Sequence, residues 1–321
     1  MEYTKLGTTD IKISRICAGC MSFGANNVGF LDWTLDAEKS EKIIARALEL
    51  GINFFDTANG YSAGTSEEYV ARAMKNLGVA RDKIVLATKV YFNEGKLSRA
   101  AILREIDGSL KRLATDYVDL YIVHRFDYDT PIEETMETLD GLVKAGKVRA
   151  LGASSMFGYQ FHNMQVAAEK NGWTKFVSMQ DHYNLLYRED EREVIPVCRQ
   201  YGVSLTPYSP LASGRLSRLE WHTDSVRSKT DKVAIRKYDS TEAQDSKIVA
   251  SVASVAQKHG ATMSQIAIAW LLAKGVASPV VGVSKLAHME EAAAAVDVKL
   301  SADDIAVLEA NYVPHKLMGP Y

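Results

Sequence analysis

The sequence predicts a (β/α)8 barrel of the TIM-barrel class, in which eight parallel strands alternate with helices and close into a ring. Strand-like apolar runs alternate with amphipathic helical segments along almost the whole chain. Most of the runs are continuously apolar, as expected for parallel strands that are covered on both faces. A length of 321 residues suits a single barrel of this kind. In chain order, the eight strand candidates are RICAGCM, INFFDTA, IVLATKV, VDLYIVH, VRALGAS, FVSMQ, SLTPYSP and SPVVGV.

Three segments lie outside these eight units. MEYTKLGTTDIKIS predicts an N-terminal β-hairpin whose two short strands are joined by Gly7-Thr8-Thr9-Asp10. Residues 241–259 predict an extra helix between the seventh and eighth units, and a last capped helix begins at Ser301. Because no linker, low-complexity tract or internal repeat interrupts the pattern, we expect residues 1–321 to form one domain.

The composition argues against several classes of protein. A formal net charge of −2 offers no field for nucleic acid or an anionic membrane. The N-terminal residues lack the apolar core of a signal peptide, and the longest apolar helix, around IAIAWLLA, is too short to cross a bilayer. Three cysteines cannot form a disulfide framework and suit a reducing compartment. We therefore expect a cytoplasmic protein that binds neither nucleic acid nor membranes. Its oligomeric state is left open.

Cys17 and Cys20 form a C-x-x-C motif, a spacing that occurs in redox and zinc sites. Here they lie in a predicted strand, on which residues three apart point to opposite faces. Cys198 stands alone, and no second pair completes a metal site. We therefore expect two buried strand residues and no metal site.

Ionisable side chains end three consecutive predicted strands. Strand two ends at Asp56, strand three at Lys89 and strand four at His124, and Tyr61 follows Asp56 on the adjoining loop. The active site of a barrel lies at the carboxyl ends of its strands, and apolar strands otherwise exclude charges because burying an unpaired one is costly. Taken singly, Asp56 and Lys89 could form a structural ion pair, and His124 could be an ordinary rim histidine. Four such residues on consecutive units indicate an active site instead.

The four residues together suit the reduction of a carbonyl group. A tyrosine hydroxyl, with an ordinary pKa of about 10, is a poor proton donor at neutral pH. An ammonium group beside Tyr61 would stabilise the phenolate and lower that pKa, and Asp56 would keep Lys89 charged and in place. His124 could donate a hydrogen bond that orients the substrate oxygen. No side chain can supply a hydride, so a cofactor must.

The stretches around these residues resemble the aldo-keto reductase superfamily, whose catalytic residues are an aspartate, a tyrosine, a lysine and a histidine in this order. The matching stretches are GINFFDTANGYSAGTSEEYVARAM, IVLATKV and VDLYIVHRFDYDTPIEET, and the resemblance covers nearly the whole chain. FVSMQDHYNLLYREDEREVIPVC is similar to the branch that contains single-subunit bacterial reductases and the potassium-channel β subunits. The resemblance implies NADPH-dependent reduction of aldehydes and ketones, with Asp56, Tyr61, Lys89 and His124 as the catalytic residues.

The resemblance also implies where the cofactor lies. No G-x-G-x-x-G motif follows the first strand, which argues against a Rossmann domain. The family instead lays an extended nicotinamide cofactor across the barrel mouth, with Ser154 and Gln180 on the carboxamide and Tyr208 stacked on the nicotinamide ring. Alternatively, the serine could cap a helix and Tyr208 could belong to the core. The implied cofactor-binding residues are Gly19, Cys20, Met21, Asp56, Ser154, Ser155, Gln180, Tyr208, Ser209, Pro210, Leu211, Ser213, Gly214, Arg215, Gly282, Ser284, Lys285, His288 and Glu291.

The adenine end decides between NADPH and NADH. By resemblance, Ser284 and Lys285 at a helix N-terminus bind the 2′-phosphate, and Glu291 binds the adenine. His288 stands where many members have arginine, and Ala292 where many have asparagine. Because a lysine discriminates less well than an arginine fork, secondary use of NADH stays open. The alternative that Ser284 is an N-cap and Lys285 is solvated also stays open.

The substrate is the least determined part of the prediction. Rim aromatic residues could form a substrate pocket together with His124, or could merely fix their loops. They are Phe23, Trp33, Tyr91, Phe92 and Phe157. Arg125 could meet an anionic substrate, although an ion pair with Asp127 or Asp129 is the stronger expectation.

Two other functions stay open. One is a cofactor-binding regulatory subunit with little turnover, as the resemblance to channel β subunits suggests. The other is a barrel hydrolase or lyase with Lys89 as a Schiff-base nucleophile, which leaves SPLASGR and the segment after strand eight unexplained.

Overall fold

The computed structural model describes residues 1–25, 28, 33–224 and 226–318. An antiparallel hairpin precedes a sheet of eight parallel strands whose spatial order follows the chain, with the last strand paired to the first. The hairpin strands are β1 (Tyr3–Lys5) and β2 (Lys12–Ser14). The parallel strands are β3 (Cys17–Gly19), β4 (Phe54–Asp56), β5 (Val85–Val90), β6 (Val118–Val123), β7 (Val148–Ser154), β8 (Phe176–Gln180), β9 (Ser204–Leu205) and β10 (Val280–Gly282). Each falls within one of the eight predicted runs.

The ring closes between β9 and β10 through few backbone contacts. Tyr208, beyond the end of β9, forms a parallel bridge with Val280. The Val280 amide donates to the Pro207 carbonyl at 2.9 Å, and the Ala277 amide donates to the Leu205 carbonyl at 3.0 Å. The predicted barrel with its N-terminal hairpin is therefore confirmed.

Helices surround the strands and extend the chain beyond the eight units. The helix predicted over 241–259 is confirmed as α9, and the last helix begins with the predicted cap, in which Ser301 Oγ accepts a hydrogen bond from the Asp304 amide. The helices are α1 (Ala37–Glu49), α2 (Thr65–Asn76), α3 (Arg99–Leu113), α4 (Ile132–Lys144), α5 (Gly158–Asn171), α6 (Val194–Gln200), α7 (Val226–Thr230), α8 (Lys232–Tyr238), α9 (Glu242–His259), α10 (Met263–Ala273), α11 (Leu286–Ala294) and α12 (Ala302–Glu309).

The barrel interior is apolar at one end and polar at the other. Hairpin side chains pack with strand side chains in one buried cluster, which is Leu6, Ile11, Ile13, Cys17, Phe54, Val85, Ala87, Leu120, Ile122, Ala150, Ala277 and Val280. Side chains alternate between the two faces of a strand, so a residue two positions after an interior one also points inward. Asp56 follows Phe54 in this way and Lys89 follows Ala87. The alternation therefore places both ionisable groups inside the carboxyl end of the barrel.

Candidate active site

Lys89 is the centre of the polar end of the barrel. Its side chain is 0% exposed, and Nζ donates to Asp56 Oδ1 at 2.5 Å, to the Thr57 carbonyl at 2.8 Å and to Tyr61 Oη at 3.1 Å. Asp56 is itself only 2% exposed. Three oxygen partners match the three donors of an ammonium group, so the lysine is fully satisfied without a ligand. Sequence reasoning thus placed these three side chains together correctly.

A strained turn brings Tyr61 back over the end of β4. Tyr61–Gly64 form a single turn of 3₁₀ helix, in which Ser62 and Ala63 have φ angles of 47° and 53°. Left-handed backbone at residues other than glycine costs on the order of 1 kcal/mol each and persists where the surroundings hold it. Gly24 packs against this turn so closely that a Cβ there would lie 2.4 Å from Ser62 Cβ. The turn is held in place by its neighbours, which fixes the position of the phenol.

Burial and charge act in opposite directions on Tyr61. Burial raises the pKa of its hydroxyl, the Lys89 charge lowers it, and Asp56 raises it again, so that the pKa lies above its ordinary value. The expected lowering by Lys89 is present but is outweighed, because the phenolate is poorly solvated in this position. For Lys89, burial lowers the pKa of the ammonium group. The charges of Asp56 and Tyr61 raise that pKa by more than burial lowers it, so the pKa lies above its ordinary value. The pair therefore holds a neutral phenol beside a charged ammonium group at neutral pH.

His124 lies at the same rim, edge-on to Tyr61 with 5.8 Å between the ring centroids. Burial lowers the pKa of its imidazole well below the usual range, and the charges of Lys89 and Arg125 lower it further. Its Nδ1 atom is buried and has no hydrogen-bond partner among the described residues. A neutral imidazole has one donor and one acceptor. His124 can therefore offer a hydrogen bond to an oxygen near Tyr61 without carrying charge.

Asp56 links these residues to the predicted carboxamide site. Gln180 Nε2 donates to Asp56 Oδ2 at 2.9 Å, and Ser154 Oγ donates to the Gln180 carbonyl at 2.6 Å. Ser154 and Ser155 hydroxyls are 3.3 Å apart. The structure thus brings Ser154, Ser155 and Gln180 to the side of the barrel that faces the catalytic candidates, as the resemblance implies.

A pair of carboxyl groups next to this corner was not predicted. Asp181 accepts a hydrogen bond from the Ser155 amide, and its neighbour Asp190 donates to it. Burial raises the pKa of Asp181 to about 7, although hydrogen bonds from the Ser155 and Met156 amides lower it. For Asp190, burial and then the charge of Asp181 raise the pKa well above the ordinary range. Two like charges this close cannot both ionise easily, so the pair retains a proton.

A cavity of about 140 Å³ opens beside this carboxyl pair. Its lining includes Ser155, His182, Tyr208 and Met318, so it reaches from the predicted carboxamide corner to the C-terminal tail. A sequence signal existed for the carboxyl pair, since Asp181 directly follows a strand-end residue, but nothing in the pattern linked it to Asp190.

Tyr208 carries neighbours on its ring that the sequence did not reveal. His182 stacks parallel to it, with ring centroids 5.3 Å apart and an interplanar angle of 9°. Lys237 Nζ from α8 lies 4.6 Å from the ring centroid and donates to the Tyr208 hydroxyl at 3.2 Å. Stacking of a nicotinamide on Tyr208 would therefore use the face away from His182.

The segment from Ser209 to Arg215, whose backbone the resemblance places along the pyrophosphate of the cofactor, is an irregular turn. Ser209, Ala212 and Ser213 have φ angles of 55°, 47° and 54°, and Gly214 has 94°. Pro210 is buried and Leu211 is half-buried. Arg215 forms an ion pair with Asp239, so its guanidinium group is already engaged within the chain, and only its backbone stays a candidate for the pyrophosphate.

The residues from Gly19 to Met21, which the resemblance places at the ribose end of the cofactor, are buried or half-buried. Gly19 pairs with Asp56 and with Gly282, which places all three across neighbouring strands. The Cys20 amide donates to the Asp56 carbonyl at 2.8 Å, and Met21 is half-buried.

Cys17, Cys20 and Cys198 are buried free cysteines, and burial raises the pKa of each thiol. A raised thiol pKa argues against a redox role for the C-x-x-C motif.

Ser284 and Lys285 lie exposed just before α11. Lys285 is the N-cap residue, without a side-chain cap, so the alternative that Ser284 caps this helix is wrong. His288 lies exposed in its first turn, and Glu291 is half-buried further along. Free amides at a helix start favour an anion, so this position suits a phosphate.

The predicted substrate residues range from fully buried to exposed. Phe23 is 1% exposed and packs in the core, which leaves almost none of its surface for a substrate in this structure. Trp33 and Tyr91 are half-buried, and Phe157 is half-buried and stacks on Tyr159. Phe92 is 55% exposed, and its ring centroid lies 4.9 Å from that of His124. Phe92 therefore offers the most apolar surface next to the catalytic candidates.

Arg125 does not pair with Asp127 or Asp129, so that expectation is wrong. Both carboxylates face Lys96, at 3.8 Å for Asp127 and 2.5 Å for Asp129. The Arg125 guanidinium lies over the Phe92 ring instead, 5.6 Å from its centroid.

Within the described ranges, no group of three or more metal-ligating side chains is found that could hold a metal ion. No helix in that part of the chain combines the length and apolarity of a membrane span.

The chain is similar to known proteins over almost its whole length. Residues 15–312 match the model of the aldo/keto reductase family. The chain is 41% identical to an aldo-keto reductase of Fusarium vanettenii, over 99% of this chain and 93% of that protein. It is 40% identical to the versiconal hemiacetal acetate reductase of Aspergillus parasiticus, over 98% of each. It is also 40% identical to a candidate aryl-alcohol dehydrogenase of Schizosaccharomyces pombe, over 99% of this chain and 97% of that protein.

Proposed function

The chain belongs to the aldo/keto reductase family, and on that premise we propose that it is an NADPH-dependent reductase of aldehydes and ketones with Tyr61 as the proton donor. As a member of this family it is an oxidoreductase of carbonyl or alcohol groups. The observation that carries the finer proposal is the contact of one buried ammonium group with both Asp56 and Tyr61.

The chain's own groups account for the proton transfer. Tyr61 holds a proton at Oη, because burial keeps its pKa above the ordinary value. Once that proton passes to a carbonyl oxygen, the phenolate left behind is 3.1 Å from the Lys89 ammonium group, which stabilises it. Asp56 keeps Lys89 charged and in position. His124, neutral and edge-on to Tyr61, can donate one hydrogen bond that orients the same oxygen.

The residues present fit a nicotinamide cofactor. A carboxamide needs both a donor and an acceptor. Gln180 directs its Nε2 at Asp56, which leaves Oε1 as an acceptor, and the Ser154 and Ser155 hydroxyls lie beside it. Tyr208 offers an aromatic surface, and Ser284 with Lys285 offers a hydroxyl and a cation for a 2′-phosphate. When bound, the reduced cofactor supplies the hydride. NADPH is the preferred form in this proposal, with NADH as a secondary cofactor.

Aromatic aldehydes are the substrate class that the rim supports best. Phe92 exposes its ring next to His124, and Tyr91 packs edge-on against it with 5.2 Å between the centroids. The name of one relative, a candidate aryl-alcohol dehydrogenase, is consistent with an aromatic substrate at this surface.

We also infer a single-domain cytoplasmic enzyme over residues 1–321. Its place in the branch of the potassium-channel β subunits stays a prediction.

The direct test is a steady-state survey of the purified chain. Aromatic and aliphatic aldehydes and simple ketones are supplied with NADPH or NADH, and kcat/KM is measured from loss of dihydronicotinamide absorbance. Turnover of aldehydes with NADPH, at a higher kcat/KM than with NADH, is expected. Tight cofactor binding without turnover of any carbonyl would favour the regulatory subunit instead. Reaction without added cofactor would favour the Schiff-base alternative at Lys89.

A further inference from the structure

Two cations at the barrel mouth have no carboxylate partner among the residues that the structure describes. Arg125 follows His124 at the end of β6, and the acids that were expected to neutralise it, Asp127 and Asp129, are engaged by Lys96. Arg125 forms no ion pair with any described residue, and its guanidinium group lies against the ring of Phe92. A half-buried arginine normally has an acidic partner or open water, so its position calls for an explanation.

The second cation is Lys237 on α8. Its Nζ atom donates to the Tyr208 hydroxyl at 3.2 Å, and no carboxylate among the described residues lies within ion-pair distance of it. Burial and the positive charges of Arg125 and Arg236 together lower the pKa of Lys237 to about 8, although the charge of Asp231 acts to raise it. The two side chains come from different segments, one from the end of strand four and one from beyond strand seven. Arg125 lies over Phe92 just beyond β6, and Lys237 lies over Tyr208 just beyond β9, so both cations are at the mouth of the barrel.

Asp181, which follows β8, does not neutralise either cation through an ion pair in the described part of the chain. Arg125 lowers the pKa of Asp181, but Asp181 accepts hydrogen bonds from the Ser155 and Met156 amides and from Asp190. It forms no ion pair with Arg125 or Lys237 within the described ranges. Bringing two cations together in a half-buried position is unfavourable unless an anion shares the space. The arrangement is therefore complementary to a ligand with a negative charge.

The surroundings of Arg125 define what kind of ligand this is. The Phe92 ring contacts both the guanidinium group, 5.6 Å from its centroid, and the His124 ring, 4.9 Å from its centroid. His124 in turn lies 5.8 Å from the Tyr61 ring. An aromatic substrate that lay against Phe92 would therefore contact Arg125 as well as the rim where a carbonyl oxygen would meet Tyr61 and His124. A planar guanidinium group matches the two oxygens of a carboxylate.

We infer that Arg125, assisted by Lys237, binds a carboxylate on the substrate, so that aromatic aldehydes with a carboxylate across the ring are preferred over their uncharged analogues. This inference rests on the proposed reductase function and names the substrate class for the same site. Arg125 is then a specificity-determining residue, since it touches the substrate away from the reacting carbonyl.

The test compares two aldehydes that differ in charge but hardly in shape, para-carboxybenzaldehyde and its methyl ester. The measured quantity is the ratio of kcat/KM for the acid to that for the ester, with NADPH at saturation. The wild-type chain should prefer the acid. Arg125→Met should lower the ratio about tenfold or more, since a charge-assisted bidentate pair is lost. Arg125→Lys should lie between the two, and Lys237→Met should lower the ratio by a smaller factor.

Arg236→Met is the matched control, because Arg236 precedes Lys237 in α8 but is exposed. It should leave the ratio unchanged. Thermal unfolding midpoints of all variants separate loss of specificity from loss of folding. The same ratio in wild type and Arg125→Met would overturn the inference. So would a raised Kd for NADPH with an unchanged ratio, which would assign the two cations to the cofactor's pyrophosphate.

The two proposals fail in different ways. If the wild-type chain reduces the ester but does not prefer the acid, only the carboxylate inference is wrong. If neither aldehyde is reduced, the reductase proposal is wrong and the inference fails with it.

Discussion

The two sides of the barrel mouth are built on different principles. On the side of β4, β5 and β6, the charge of Lys89 is matched by Asp56 and all of its donors are used within the chain. On the opposite side, the raised pKa values of Asp181 and Asp190 indicate a retained proton, and Lys237 lacks an acidic partner in the described part of the chain, as does Arg125 just beyond the end of β6. The first side is satisfied within the chain, and in our proposal a ligand completes the second.

This difference follows from what carries the side chains. Asp56 and Lys89 extend from strands whose register fixes their direction, which suits groups that need a fixed geometry. Lys237 and the turn at Ser209 lie in segments outside the regular strand-helix units, where no ladder of hydrogen bonds sets their position. In the proposed function, the first, rigid side carries the chemistry and the second, adaptable side recognises the ligand.

The largest expected effect comes from the rigid side. Tyr61→Phe should lower kcat for carbonyl reduction by roughly 10²–10⁴-fold, because only the proton donor is removed. Cofactor binding, measured by fluorescence titration, should be almost unchanged, since the ring remains. Retention of more than about a tenth of wild-type kcat would exclude Tyr61 as the donor. Tyr69→Phe, on a helix away from the site, controls for loss of a phenol hydroxyl.

The carboxyl pair predicts an effect on stability that depends on pH. The folded-state pKa of Asp190 is raised well above that of an unfolded carboxyl group, so the folded chain binds more protons and loses stability as pH rises. Asp190→Asn removes one such group and keeps the shape. Between pH 5 and pH 7, the difference between the free energy of unfolding of this variant and that of the wild type should increase by up to about 1.4 kcal/mol per pH unit.

Urea unfolding at pH 5, 6 and 7 measures this difference, with Asp116→Asn at an exposed position as the control for removing a carboxylate. Parallel pH profiles for the wild type and Asp190→Asn would show that the two carboxyl groups do not share a proton.

The preference for NADPH over NADH tests the proposed role of the exposed residues Ser284 and Lys285. Lys285→Ala should raise the KM for NADPH about tenfold or more and leave that for NADH nearly unchanged, because a charged hydrogen bond to the 2′-phosphate is lost. Lys316→Ala, a lysine in the C-terminal tail, is the control. Equal kcat/KM for the two cofactors in the wild-type chain would contradict the proposed role of Ser284 and Lys285.

Tyr208→Ala gives the smallest expected effect and tests whether the stacking surface matters. The loss of an aromatic contact should weaken cofactor binding by roughly 1 kcal/mol, which is about fivefold in Kd. Tyr208→Phe should bind nearly as well as the wild type, since the ring is kept and only the hydrogen bonds of the hydroxyl to Lys237 and Ser155 are lost. A Kd that falls in Tyr208→Phe would show that Lys237 competes with the cofactor for this ring.

The sequence predicted the rigid side far better than the adaptable one, and the reason is physical. Apolar alternation along β4 and β5 determines which residues face inward, so Asp56 and Lys89 could be placed from the pattern alone. No such periodicity covers the segment that carries Lys237, and its contact with Tyr208 depends on how α8 folds back over the mouth. The ion pair expected for Arg125 was wrong because Lys96, more than twenty residues earlier in the chain, takes both acids.

The seam of the barrel has a consequence for local opening. Between β9 and β10 the ring is held by few backbone hydrogen bonds, one of them from the Val280 amide to the Pro207 carbonyl, and Tyr208 lies directly at this seam. Elements with few ladder bonds open at low free energy and exchange their amide hydrogens first. A cofactor that stacks on Tyr208 would stabilise the closed form of this seam. The Val280 amide should then exchange with deuterated solvent more slowly when the cofactor is bound, and unfolding of the barrel should become more cooperative.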